Sequence, residues 1–204
     1  MVCPNGTRVL NRLGFSFANA RAIILKKISI MDGHTLSPNA AVDMSKAEEM
    51  FGAKLWAVHR VDLHKELLRL ATEENGTSRP AKLRLSSEVA TAETDGTIVL
   101  KDGSVHKADL IVAADGLKSV LQKVVNKEAG PPTATGLSAF RFLLDTDTFK
   151  DDPKLLETLE KKGPSDVGSL QDTQDPKRTT YMIWYGCRKY VRVDIRWSTV
   201  LTMK

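Results

Sequence analysis

The chain is poor in several features that would narrow its function at once. It has 2 cysteines in 204 residues, Cys3 and Cys187. They lie far apart and without metal-ligand spacing, which excludes a disulfide framework or a cysteine zinc site and makes a reducing compartment the expectation. Aromatic residues make up 6% of the chain. The net charge of +5 is scattered, with bases and acids interleaved in stretches such as "KKGPSDVG" and "EEMFGAK". Without a basic stripe or aromatic platforms, nucleic-acid binding is not expected. No stretch approaches the roughly 20 apolar residues of a membrane span, and "MVCPNGTRVLNRLGF" lacks the apolar core of a secretory signal. The expectation is a soluble, cytoplasmic protein without a membrane span. His34, His59, His64 and His106 give neither a catalytic triad nor a metal-binding spacing, so no metal is expected. Internal repeats are absent, and the oligomeric state is left open.

What is present is an alternation of helical and strand patterns. In "PNGTRVLNRLGF" Asn5 reads as a cap, Val9, Leu10 and Leu13 share a helical face, and Gly14 reads as a stop. A second helix is predicted over "ANARAIILKK", followed by a hairpin around Asp32-Gly33, while residues 37–53 read as irregular. A strand over Lys54–His59 ends at Arg60. Asp62 reads as the cap of a helix whose Leu63, Leu67, Leu70 and Ala71 recur at helical spacing. Arg60 therefore stands at a strand-to-helix junction, either as a surface arginine or as an anion contact, since helix N-termini attract anions.

Residues 81–114 read as consecutive short strands, "KLRLSSE", "TIVLKDG", "SVHKA" and "DLIVAA", before a helix over about 118–127. "EAGPPTATG" then marks a boundary. Beyond it lie a strand-like "LSAFRFLL", a helical candidate "PKLLETLEKKG" and two late strands, "TTYMIWYG" and "YVRVDIRW". The order predicts an α/β (mixed α+β) chain in two parts, residues 1–130 and a mostly β region over 131–204. Four Asp-Gly dipeptides occur. Three suit tight hairpin turns; the fourth, Asp115-Gly116, follows the continuous apolar run Leu110–Ala114, which predicts a strand covered on both faces.

"CPNGTRVLNRLGF", "VHRVDLHKELLRLA", "DLIVAADGLKS", "SAFRFLL" and "YMIWYGCR" occur in the order of similar segments in FAD-dependent aromatic-ring monooxygenases of the salicylate hydroxylase type, which this chain resembles over residues 3–188. The resemblance implies an incomplete Rossmann-like FAD-binding domain over 1–130 and part of a substrate domain over 131–204. It implies an enzyme that reduces FAD with NADH or NADPH and uses oxygen to hydroxylate a small aromatic substrate. The family's Gly-x-Gly-x-x-Gly turn and its later Gly-Asp segment are not found, so the chain reads as an internal piece that need not be active alone. The alternative is a non-catalytic remnant acting through protein–protein association.

By resemblance, Arg60 matches the arginine of the family's Arg-x-Asp-Leu segment, which lies against FAD. Asp115 and Gly116 match the Asp-Gly beside the FAD pyrophosphate, where the glycine admits close backbone approach and the acid orders local backbone, with a plain turn as the other reading. Arg141 and Tyr185 match substrate-side positions of the family; the plainer readings are an outward arginine and a half-buried tyrosine. Departures from the pattern are Gln122, Ala114 and Gly186, where the family carries arginine, glycine and proline.

Overall fold

The computed structural model describes residues 1–74, 79–133, 137–145, 147, 151–154, 165–172, 180–188 and 192–200. It forms two compact units, one of residues 1–81 with 136–204 and one of residues 82–135. These units do not follow a single division at residue 130. The reason is the parallel pairing of an early strand with a late one, described below, which places the first and last thirds of the chain in one unit.

The larger unit begins with α1 (Pro4–Arg12). Pro4 occupies the first turn, where its fixed φ and missing N–H suit a helix start. The helix therefore begins before Asn5, and no side chain caps it. Its buried residue is Thr7, whose hydroxyl donates to the Lys54 carbonyl at 3.0 Å, while Val9 and Leu13 are exposed. Where a second helix is expected, the chain makes turns and then β1 (Ile23–Ile24), because the two β-branched residues find a strand partner later in the chain.

The hairpin around Asp32-Gly33 forms as expected from β2 (Lys27–Asp32) and β3 (Pro38–Asp43). Asp32 shapes its turn by accepting the N–H groups of His34 and Thr35. The irregular reading of 37–53 is thus replaced by β3 and α2 (Ala47–Phe51). Next come β4 (Trp56–Ala57), the antiparallel partner of β1, and α3 (Arg60–Thr72).

In the smaller unit β5 (Val89–Ala92), β6 (Thr97–Leu100) and β7 (Val105–Lys107) form an antiparallel meander. Gly96, at φ +89, makes its first turn, where a Cβ would collide with the Ala108 carbonyl. "KLRLSSE" and "DLIVAA" are not strands. Residues 109–114 form no regular element, with Leu110 79% and Val112 76% exposed, and no described strand of this unit pairs with them. A 3-10 turn (Gly116–Lys118) and the short α4 (Gln122–Val125) follow.

The larger unit is completed by β8 (Leu137–Asp145), β9 (Asp166–Asp172), β10 (Thr180–Cys187) and β11 (Arg192–Val200). The helical candidate "PKLLETLEKKG" falls mostly outside the described residues. The sheet order is β3-β2-β9-β10-β11-β8, antiparallel except for the β2–β9 pair. One core cluster joins Ile23, Leu25, Leu55, Ala57, Val167 and Tyr185, and a second joins Phe15, Phe17, Ala20 and Val58.

Candidate active site

The first turn of α3 carries the flavin-side candidate. His59 caps it by accepting the Val61 N–H on Nδ1 at 3.3 Å. The helix thus starts two residues before Asp62, which turns inward instead of capping. Arg60 opens the helix and is exposed, with no hydrogen bond or ion pair among the described residues.

Asp62 is buried, at 4% exposure, between two arginines. Arg21 donates through Nη2 to Oδ1; Arg188 donates through Nε to Oδ2 at 2.9 Å and through Nη2 to Oδ1 at 3.4 Å. Burial pushes the Asp62 carboxyl up, and the hydrogen bonds and charges of Arg188 and Arg21 more than reverse it, leaving it below the ordinary carboxylate value. Both arginines have left-handed backbones, with φ of 50° at Arg21 and 57° at Arg188. Such a conformation costs a non-glycine residue roughly 1–2 kcal/mol. One turn on, Glu66 accepts the Nε and Nη2 donors of Arg69, the Ser16 N–H at 3.1 Å and the Asn19 amide at 3.4 Å. These bonds, those from Arg69 first, hold its carboxyl down at about 2.

The substrate-side candidates lie on the six-stranded sheet. Tyr185 pairs with Val167 of β9 and with Asp194 of β11, and Asp194 pairs with Leu143 of β8. Arg141 is two residues from Leu143. Because strand residues alternate faces, Tyr185 and Arg141 share one face, two strands apart, or about 10 Å in the hydrogen-bonding direction. Their surroundings differ. Tyr185 is 1% exposed among the residues of the first core cluster, whereas Arg141 is exposed. The half-buried reading of Tyr185 is corrected accordingly: β1, β4 and their flanking residues cover this face over β10.

In the smaller unit, Asp115 accepts the Val120 N–H on Oδ2 at 2.9 Å. The Ser119 hydroxyl and this N–H hold its carboxyl below the ordinary range. Its side chain therefore orders the backbone that follows it. Gly116 has φ +79, and the space its missing Cβ would take is open, so a ligand can come up against the main chain there.

No protein-family model matches the chain. Among curated proteins it is 32% identical over 202 residues to hispidin-3-hydroxylase of Neonothopanus nambi, a match covering 95% of this chain and 47% of that protein. It is 29% identical over 187 residues to the FAD-dependent monooxygenase phomE' of Diaporthe leptostromiformis, covering 91% of this chain and 46% of the other. The chain is homologous to FAD-dependent monooxygenases. It spans about half the length of the curated relatives it matches. Among solved structures, Klebsiella pneumoniae HpxO complexed with FAD and uric acid superposes with a TM-score of 0.71 at 16% identity, over all of this chain and 47% of that one. A salicylate hydroxylase substrate complex superposes with a TM-score of 0.70 at 19% identity, over 99% of this chain and 48% of that one. These likenesses bear out the mixed α/β fold of a flavin hydroxylase.

The residues present suit FAD chemically. Arg60 offers a fork of donors with no partner among the described residues to a phosphate or ribose oxygen at the start of a 13-residue helix. Gly116 leaves its backbone approachable. Sequence reasoning missed the joint role of Arg21 and Arg188. Arg188 stands within the recognisable "WYGCR" segment, but no local pattern shows that it reaches back 126 residues to Asp62. The arginine at 21 carries no pattern at all.

Proposed function

We propose that this chain is the flavin- and substrate-contacting part of an FAD-dependent monooxygenase acting on a small aromatic substrate, with NADH or NADPH as reductant. The observation that carries the reading is the 32% identity to hispidin-3-hydroxylase along nearly the whole chain. When bound, FAD supplies the redox chemistry by which such enzymes use oxygen to hydroxylate a ring. Residues 1–130 are assigned to FAD binding and 131–204 to the substrate side. Arg60 holds a phosphate or ribose oxygen of FAD. Asp115 keeps the turn that presents the Gly116 backbone in shape.

On the substrate side, Arg141 offers a positive charge to an anionic aromatic substrate from the open part of its sheet face. Tyr185 belongs to the same face, and its burial suits a fixed wall better than a free phenol. Exclusion of water from the reacting atoms is the task of that face.

The test is flavin retention. The chain is mixed with excess FAD, passed through gel filtration, and the flavin absorbance of the monodisperse peak recorded. Near one flavin per chain is expected, with Arg60→Ala and Asp115→Ala each lowering the occupancy. A wild-type peak without flavin, or full occupancy in both variants, would count against the reading.

One observation favours a second reading, association with another protein: in the smaller unit the apolar side chains of Leu110, Val112, Leu117 and Val125 are each more than three-quarters exposed. A flavin-free chain that assembles as its concentration rises would support it.

A further inference from the structure

Three features of the Asp62 cluster do not follow from stability alone. Buried ion pairs are weak stabilisers relative to apolar packing, so an acid between two arginines needs another reason. Both arginines adopt left-handed backbones, and such strain persists only where the surroundings over-determine it and concentrates near functional sites. The cluster also has a telling location. Asp62 follows Arg60 by two residues on one turn of α3, and Arg188 follows Tyr185 by three at the end of β10.

We propose that Asp62 is a positioning residue. Gripped by Arg21 and Arg188, it holds the first turn of α3, and with it the Arg60 guanidinium, at one setting against the end of β10. The inference rests on the FAD-contact reading of Arg60. Asp62 itself does not touch the cofactor. Its carboxylate accepts donors from two directions: Oδ2 accepts the Arg188 Nε–H, and Oδ1 accepts from both Arg21 and the second Arg188 donor. A single buried group thereby ties three segments, the turn at residue 21, the helix start and the strand end. Arg188, at 18% side-chain exposure, is well shielded, so water competes little for this bond. The substrate-side strand and the flavin-side helix start then move as one piece.

A double-mutant cycle on FAD affinity tests this, read by flavin fluorescence on the 204-residue chain for wild type, Arg60→Ala, Arg188→Gln and the double variant. Arg188→Gln is expected to weaken FAD about tenfold when Arg60 is present. In the Arg60→Ala background the same change is expected to have almost no effect, because the group being positioned is gone. An equal loss in both backgrounds, or none in either, overturns the proposal. A general loss of structure would appear in both backgrounds alike.

Arg60→Ala binding FAD as tightly as wild type would instead overturn the contact reading of Arg60. Amide hydrogen exchange of the FAD-free chain then decides the tie. In Arg188→Gln and in the near-isosteric Asp62→Asn, exchange at the Val61 and Leu63 amides, which His59 accepts, is expected to speed up at least about tenfold while the β9–β10 amides stay protected. Unchanged exchange at the helix start overturns it. Arg188→Lys, which keeps the charge without the fork, should restore part of both effects.

Discussion

Asp62 and Glu66 point inward from α3 one helical turn apart, where apolar spacing predicts Leu63, Leu67, Leu70 and Ala71 on the core side. Leu63 and Leu70 do pack on the second core cluster, yet Leu67 is exposed and the buried residues of the helix are the two acids. Like charges at this spacing repel, so each acid must have its own donors. Glu66 has four, and its carboxyl falls from the ordinary 4.5 to about 2. A carboxylate whose folded value lies below its unfolded one adds stability above pH 4.5 that is lost as pH falls toward 2. The amount is on the order of 1–3 kcal/mol after allowance for the partly exposed Arg69. Chemical denaturation of wild type and Glu66→Gln should therefore show a gap at about pH 7 that closes between pH 4.5 and 2. A gap independent of pH would remove the ion pair as its cause.

At the scale of elements, the late sheet depends on a contact that its strand pattern does not reveal. Gly168 of β9 lies directly opposite Trp184 of β10, and a Cβ on Gly168 would run into the indole ring. The glycine is there to seat the ring. Gly168→Ala should destabilise the chain by roughly 1–3 kcal/mol in urea unfolding, and Trp184→Leu in the same chain should recover much of the loss. An additive double variant would show that the ring and the glycine do not share this space. Elsewhere, β8, β10 and β11 are legible from sequence because their apolar and β-branched residues recur over eight or nine positions. β9, "DVGSLQD", has no such pattern and becomes a strand through its partners β2 and β10. The helix predicted over "ANARAIILKK" fails for the same reason in reverse, since Ile23 and Ile24 satisfy a strand partner at Trp56 and Ala57.

For the molecule as a whole, the apolar run of residues 110–114 carries the main consequence. An exposed apolar segment whose backbone has no strand partner among the described residues is a template for association. Sedimentation velocity should show self-association rising with concentration, and Val112→Lys should shift the distribution toward the monomer. A concentration-independent monomer in wild type would mean that this surface is inert in solution. The relatives are about twice as long as this chain, so recombining it with the remaining segments of such a relative offers a second way to ask what covers this run.

The candidates Arg60, Asp115, Gly116, Arg141 and Tyr185 come from the resemblance of ordered motifs; the properties decided by the sequence by itself are the mixed α/β class, the hairpin at Asp32-Gly33 and the long late strands. Local periodicity and turn chemistry suffice for these because each depends on neighbours within a few positions. Tertiary structure alone decided that Asp62 serves as a buried anchor instead of a cap, that Tyr185 lies in the core while Arg141 on the same face stays open, and that the apolar run before Asp115 is left unpaired. Each of these outcomes is set by a partner distant in the chain, or by the lack of one among the described residues of its unit, and spacing along the sequence carries no record of such partners.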